Sequence, residues 1–441
     1  MAQAPVAIIG AGVAGLAAAS ELVRAGVPVC ILEARDRIGG RVLTLRDESS
    51  GAPIELGAEF IHGRPPEIFD LLQPARIKLS EVNGDSWCHT GERLSKCDFE
   101  GEVDSVLDKM DESSPDQSFV EYLQESCSDC PEEAKRRATS YISGFNAADP
   151  ALVGVHWLVQ EARAEEKIQG ERAFRAPNGY ADLLEIFLAE LKRYDATICT
   201  GTVVESVQWK RGGVKVSYRD GNGEGTFDAA QAVITLPLSL LKLSVANQGV
   251  RFTPALPRDK TQGLDKLEMG KVIRLVLRFR ERFWNSLRPK SKSKTLENMS
   301  FLFSQDQWFP TWWTNMPRKD PLIVGWAPFQ SAEQLSGKSD DFVIGQGMRT
   351  LGRLLNVNSA ELEGLLAQGY VHDWQADPFS QGAYSYGKVG AVDALSILSE
   401  PVEDTLFFAG EATNTSGHNG TVHGAIASGQ RAAKQVLQKL R

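Results

Sequence analysis

The sequence predicts an α/β fold in which a parallel-sheet domain is interleaved with an α+β domain built on a mixed sheet flanked by helices. Three stretches lead to this reading. The N-terminus reads as strand, glycine turn, helix and strand. The middle reads as a β-meander closing on a buried strand, and the C-terminus as strand, glycine turn and helix.

In the opening stretch "VAIIGAGVAGLAAASELVRAGVPVCILEARDRIGGR", Val6 to Ile9 form an apolar run suited to a buried parallel strand. Gly10, Gly12 and Gly15 come next in G-x-G-x-x-G spacing, with Ala14 among them, and an alanine-rich helix ends near Gly26. Val27 to Leu32 make a second strand, with Glu33 at its end. The first glycine permits a tight turn, the second lets a pyrophosphate approach the backbone, and the third lets helix and strand pack closely. The helix N-terminus offers unpaired N–H groups and a positive dipole end to the phosphates. Glu33 can accept hydrogen bonds from both ribose hydroxyls, which disfavours a 2′-phosphorylated cofactor. A glycine triplet alone is weak evidence, but in this context, with the acid at this distance, it marks a Rossmann-like dinucleotide site.

The residues after Glu33 narrow the cofactor. "EARDRIGGR" carries Ala34, Arg35, Gly39, Gly40 and Arg41, and "IELGAEFIHG" carries Gly57, Ala58, Glu59, Phe60 and His62. These segments resemble the flavin amine oxidase family, which includes monoamine, polyamine and L-amino-acid oxidases and flavin-dependent histone lysine demethylases. The resemblance implies a glutathione-reductase-like FAD-binding domain, with all these residues up to Phe60 against FAD. Arg41 then approaches the phosphates, and the "LGA" turn runs along the isoalloxazine ring.

Further along, "TGTVVESVQWKRGGVKVSYRDGNGEGTFDAAQAVITLP" reads as a β-meander ending in a buried strand. It resembles the family's second FAD segment, in which the backbone at Val204 pairs with adenine. The C-terminal "TLFFAGEATNTSGHNGTVHGAIASGQRAAKQVL" resembles the closing FAD motif. That places Gly410 and Glu411 at the ribityl or pyrophosphate region. Thr421 and Val422 then open a helix toward the flavin N1/C2=O edge, where reduced flavin carries negative charge. The FAD domain is accordingly assigned to 1–80, 175–262 and 383–441, and the substrate domain to 81–174 and 263–382. Residues 81–170 show a mostly polar helical pattern with few assignable roles, and Arg288–Lys294 reads as a mobile basic surface turn.

A chain of 441 residues accommodates two domains. A net charge of −9 argues against a nucleic-acid partner and weakly favours cationic ligands. No apolar run approaches ~18 residues, so no membrane span is expected. The N-terminus lacks the parts of a signal peptide, which points to a cytoplasmic protein. Cys30, Cys88, Cys97, Cys127, Cys130 and Cys199 are then expected as free thiols. "CSDC" lacks a second pair to complete a metal site, and no metal is expected.

The family's reaction removes hydride from the carbon beside an amine onto flavin N5; the imine hydrolyses, and oxygen reoxidises the flavin with release of peroxide. The substrate nitrogen must be neutral, which for an amine of pKa ~10 costs about 4 kcal/mol at pH 7. A dry aromatic site lowers that cost. In "HDWQADPFSQGAYSYG", Tyr384 matches an aromatic wall on the catalytic face, and Trp374 would pack near the ring. Monoamine oxidases carry their flavin-linked cysteine at the position of Ala383, so FAD is expected to be non-covalent. Their second aromatic wall falls at Thr421, which leaves half of the sandwich. His62 matches a histidine beside the substrate amine in many animal polyamine oxidases; the alternative is a ring satisfied by backbone near the flavin. Phe60, Trp308, Trp312, Trp313, Trp326 and Phe329 supply aromatic surface, only some of it for a pocket.

The segment "GKVIRLVLRFRERFW" poses one departure. The family carries "K-x-x-x-x-F-x-x-x-F-W", whose lysine reaches flavin N5 through a water. Counting back from Phe279 and Phe283–Trp284 places that position at Arg274. Residues three apart in a strand face opposite ways, so Lys271 points outward. Arginine keeps the charge but cannot give up its proton; the alternative is that Arg274 makes an internal ion pair. The leading expectation is an FAD-dependent amine oxidase acting on primary or secondary amines with oxygen as acceptor, polyamines first. An L-amino-acid oxidase, which needs an arginine fork for the carboxylate, and a related flavin desaturase or oxidase are the alternatives. A homodimer stays open.

Overall fold

The computed structural model describes residues 4–91, 93–289 and 294–440. One sheet is five-stranded and parallel throughout. Its order is Thr197–Cys199, Val29–Leu32, Val6–Ile9, Gln231–Ile234 and Leu406–Phe408. The three central strands are buried along their whole length, as expected of a sheet covered on both faces. Val13–Arg24 packs against the last helix, Val422–Leu440, and small residues set their separation. A Cβ on Gly429 would lie 2.2 Å from the Ala14 carbonyl oxygen, so glycine permits this crossing.

The expected meander is present. Val203–Lys210, Gly213–Asp220 and Gly223–Ala229 pair antiparallel, and Arg251–Thr253 adds a parallel edge. The other large sheet has seven strands, in the order Leu366–Asp373, Val272–Phe279, Leu322–Pro328, Thr311–Thr314, Met299–Phe303, Asp85–Thr90 and Arg93–Lys96. It is mixed, because Met299–Phe303 runs parallel to Asp85–Thr90 while the other pairs are antiparallel. Trp284, Trp312, Phe279 and Phe309 fill its helix-covered side.

Two expectations need correction. The polar helical pattern assigned to 81–170 begins instead with a hairpin over 85–96; its short strands alternate too weakly to be seen alone, and their partner lies some two hundred residues on. Four of the six expected free thiols are paired, Cys88 with Cys97 across that hairpin and Cys127 with Cys130. The turn between the helices Phe119–Glu125 and Glu132–Gly144 brings the Cα atoms of the second pair within 5.2 Å, a spacing that suits a disulfide. Cys30 and Cys199 stay free. Of the basic turn Arg288–Lys294, positions 290–293 lie outside the described residues. Among the described residues no helix is long and apolar enough to cross a membrane, and no group of side chains forms a metal site.

Candidate active site

The glycine turn divides its labour as the spacing suggests. Gly10 has φ +106°, and a Cβ there would meet Thr235 Oγ1 at 2.6 Å. A Cβ on Gly15 would lie 2.1 Å from the Gly10 oxygen. At Gly12 the nearest neighbour would be Gly40 Cα, at 4.0 Å, so this is the glycine with open space before it. Gly39 donates its N–H to Ala11 oxygen at 2.8 Å and so holds the second loop beside the first.

Glu33 is buried and accepts the N–H groups of Ala11 at 2.7 Å and Arg35 at 2.9 Å, one on each oxygen. Each oxygen keeps a lone pair that a ribose hydroxyl can use. Ala34 comes next, half-buried. The Arg35 guanidinium reaches Asp377 and Ser380 while Nη1 stays 3.9 Å from Glu33 Oε1, so it ties two distant segments together. Gly201 and Thr202 donate to the oxygens of Arg35 and Glu33, which brings Val204 to this same end of the cradle.

At the other end, Gly57 lies so close to Arg41 that a Cβ would be 2.0 Å from its oxygen. Ala58 donates its N–H to that oxygen, and Trp374 Nε1 donates to Leu56 oxygen at 2.9 Å, which fixes the turn from both sides. Arg41 donates to Ala383 oxygen and to Glu411 Oε1. Glu411 Oε2 accepts from the Ser385 hydroxyl at 2.6 Å and the Gly420 N–H at 3.0 Å, so this carboxylate is a strut rather than a free ligand. Gly410 has φ +133°, with open space where a side chain would point. Thr421 Oγ1 accepts the Gly424 N–H at 2.9 Å and thereby caps the last helix, whose remaining first-turn N–H groups, from Val422 onward, are placed for an anionic partner. Residue 383 supplies only a methyl group, with no sulfur for a covalent link. Space at Gly12, acceptors at Glu33 and a capped helix start together fit FAD.

Above this helix start, the Tyr384 ring stands over Gly420, where a Cβ would come within 3.2 Å of it. Its hydroxyl donates to Phe145 oxygen, and Trp326 Nε1 donates to Gly144 oxygen at 2.9 Å. The end of the helix Glu132–Gly144 is thus pinned onto this wall. His62 pairs with Ala173 through its backbone, and its ring meets Phe145 edge-on at 5.2 Å. Among the described residues no hydrogen bond reaches that ring, so the backbone-satisfied alternative does not describe it. Burial pushes its pKa down to about 4, so the ring is neutral near pH 7. Phe60, Trp313 and Trp326 form a chain of ring contacts at 5.6 and 5.7 Å. Trp312 is core, and Trp308 packs on Phe342 instead.

Arg274 is buried, with Nη1 donating to Gly57 oxygen at 2.9 Å and Nη2 paired with Glu59. It therefore contacts the turn expected beside the ring and also makes the internal ion pair that was the alternative. Lys271 is half-exposed and pairs with Glu333. Glu59 is not open to a ligand: it also accepts from Arg175 at 2.8 Å and from Trp313 Nε1 at 3.0 Å.

A family model described as "Flavin containing amine oxidoreductase" matches residues 13–437. The chain belongs to this family. Polyamine oxidase 2 of Arabidopsis thaliana is 28% identical, over 99% of this chain and 88% of its own length. Human lysine-specific histone demethylase 2 is 26% identical, over 98% of this chain but 53% of its own length. Among solved structures, wild-type putrescine oxidase bound to putrescine superposes with a TM-score of 0.80 at 22% identity, covering 99% of both chains. Cyclohexylamine oxidase from Brevibacterium oxydans gives 0.78 at 20% identity, again over 99% of both.

This amine oxidoreductase also has polar groups near Tyr384 that were not picked out from the sequence. Glu161 and Glu165 lie one turn apart on Val155–Lys167. Burial, with the Glu165 charge adding to it, raises Glu161 to about 8; burial raises Glu165 to about 7. Glu161 accepts from Trp157 Nε1 at 2.7 Å and from Asn146 Nδ2 at 3.0 Å. The His418 and His423 rings meet edge-on at 4.7 Å beside the helix start, and burial pushes both below the usual histidine value. The i,i+4 spacing of the two glutamates was visible, but "EARAEEK" holds too many charges for spacing to single them out.

Proposed function

We propose that this flavin enzyme oxidises primary or secondary amines at the carbon beside nitrogen, with polyamines as substrates, yielding an imine and hydrogen peroxide. FAD would be held by the segments within 1–80, 175–262 and 383–441. Gly12, Glu33 and Val204 would meet its nucleotide end, and Gly57, Ala58 and the start of the last helix its ring. When bound, FAD supplies the hydride acceptor and the route to oxygen. The observation that carries the reading is the Tyr384 ring standing over Gly420 at that helix start.

The protein's own part is to bind an amine in its neutral form and keep water away. Tyr384, Trp326 and Phe60 offer apolar faces, which disfavour an ammonium ion there. His62, uncharged at neutral pH, can accept a hydrogen bond from the amine but is too weak a base to take its proton. The carboxyl groups of Glu161 and Glu165 add acceptors for N–H groups. The relatives named polyamine oxidase and putrescine oxidase support the substrate class. An amino-acid substrate is disfavoured by the engagement of both buried arginines, Arg175 and Arg274, with Glu59, which leaves neither fork free for a carboxylate.

Peroxide release should be measured with the FAD-loaded protein across diamines, polyamines, monoamines, amino acids and lysine peptides. The expected result is turnover with amines, highest for polyamines. Bound flavin with no peroxide from any amine would refute the proposal.

A further inference from the structure

Arg274 takes the place of a lysine in the family pattern, and the structure surrounds it with other buried charges. Glu59 bridges two guanidinium groups, with Oε1 receiving Arg175 Nε at 2.8 Å and Oε2 receiving Arg274 Nη2. Arg175 Nη1 and Nη2 donate to the main-chain oxygens of Met316 and Thr314. The Arg175 guanidinium lies 4.5 Å over the Phe60 ring and that of Arg274 5.2 Å over Trp313. The two arginines are 5% and 3% exposed, so bulk water does not solvate their charges. A cavity of about 20 Å³ beside them has room for roughly one water.

The charge count does not close. Arg278 pairs with Asp47 and Arg318 with Asp320, so these neighbours cancel. Burial outweighs hydrogen bonds from Thr44 and Tyr180 and lifts Glu55 to about 8, so at neutral pH it is mainly uncharged. Burial alone would raise Glu59, but Arg175 and Arg274 outweigh it and hold Glu59 ionised. Two cations therefore share one anion. An excess buried cation is costly unless an anion is brought to it, and Arg274 meets the main chain at Gly57, on the turn read as running beside the flavin.

We propose that Arg175 is a positioning residue of the amine-oxidising site: through the shared Glu59 carboxylate it holds Arg274 against the Leu56–Ala58 turn and leaves that edge with one excess positive charge. The charge favours the reduced, anionic cofactor over the oxidised one. This rests on the reading that the flavin ring lies along that turn.

The test is the two-electron midpoint potential of bound flavin, measured by dye-equilibrated reduction of the holoenzyme, with a melting curve for each variant. Arg175→Met should shift the balance about tenfold toward oxidised flavin, which is about 30 mV for a two-electron couple. Arg175→Lys keeps the charge and should recover most of that shift. Glu59→Gln removes the anion and should move the potential in the opposite direction, and the double variant Arg175→Met/Glu59→Gln should return toward wild type. A merely structural role would lower melting temperatures without opposed potentials. An Arg175→Met potential equal to wild type, while Arg274→Met shifts it, would overturn the role of Arg175 and leave the underlying reading intact. An unchanged potential in Arg274→Met would instead sink that reading and this inference with it. If Glu59→Gln does not fold, Arg175→Met against Arg175→Lys decides the matter, since equal potentials in that pair overturn the proposal.

Discussion

Arg41 Nη1 donates to Glu411 Oε1 at 2.7 Å, joining residues 370 positions apart in the chain. The second carboxylate oxygen of Glu411 holds Ser385 and Gly420, so one buried side chain ties the second glycine loop, the Tyr384 segment and the start of the last helix. Glu411→Gln keeps the shape and removes the charge. Hydrogen bonds to charged groups contribute about 1.5–3 kcal/mol each, so the variant should lose roughly 2–3 kcal/mol of stability and at least tenfold in FAD affinity. Melting curves and flavin retention on ultrafiltration measure both; a holoenzyme with unchanged melting and retention would refute the strut.

His62 should shape the acid limb of stability. Its folded value of about 4 lies below the ordinary 6.5, so between those values the unfolded chain binds a proton that the native chain does not. Stability contributed by the neutral ring is present above pH 6.5 and is lost as pH falls toward 4, by at most about 3 kcal/mol. His62→Gln should flatten the fall in melting temperature across that window. A variant curve parallel to wild type from pH 7 to 4 would count against the buried neutral ring.

Glu161 should act with the opposite sign. Its folded value of about 8 lies above the ordinary 4.5, so in that window the native state holds a proton that the unfolded chain has lost. Stability therefore declines as pH rises from 4.5 to 8. Glu161→Gln removes this decline, and the variant should gain on wild type progressively from pH 5 to 9 in thermal melts. A constant offset between the two curves would show that Glu161 is ionised throughout.

Non-covalent attachment is the consequence of the methyl group at Ala383. Acid precipitation of the yellow holoenzyme should leave all flavin absorbance in the supernatant; colour in the washed pellet would contradict it.

Cysteine pairing can be counted. Denatured, unreduced protein should titrate two thiols, Cys30 and Cys199, and the reduced protein all six cysteines. Six thiols without reductant would remove both pairings.

The parallel sheet and its glycine turn were largely legible because their signals are local. A phosphate needs glycines next to one another in sequence and a helix start just after, so Gly10, Gly12 and Gly15 are readable without their partners. Ala383 and the substitution at Arg274 were legible for the same reason, since each is one position in a short pattern. The substrate side was not. The strand Asp85–Thr90 is specified by pairing with Met299–Phe303, and nothing in its own few residues announces a sheet.

By itself, then, the sequence determined the parallel-sheet architecture, the glycine turn with its helix start, the family resemblance and the identity of the residue facing the Leu56–Ala58 turn. Only the tertiary structure decided what charge surrounds that residue, which aromatic rings meet, and that Glu161 lies near Tyr384. The physical reason is that backbone turns and helix starts are set by neighbours in sequence, whereas burial and ion pairing are set by neighbours in space. No short pattern singles out Arg175, and its link to Glu59 and Arg274 exists only once the folded chain buries the three together.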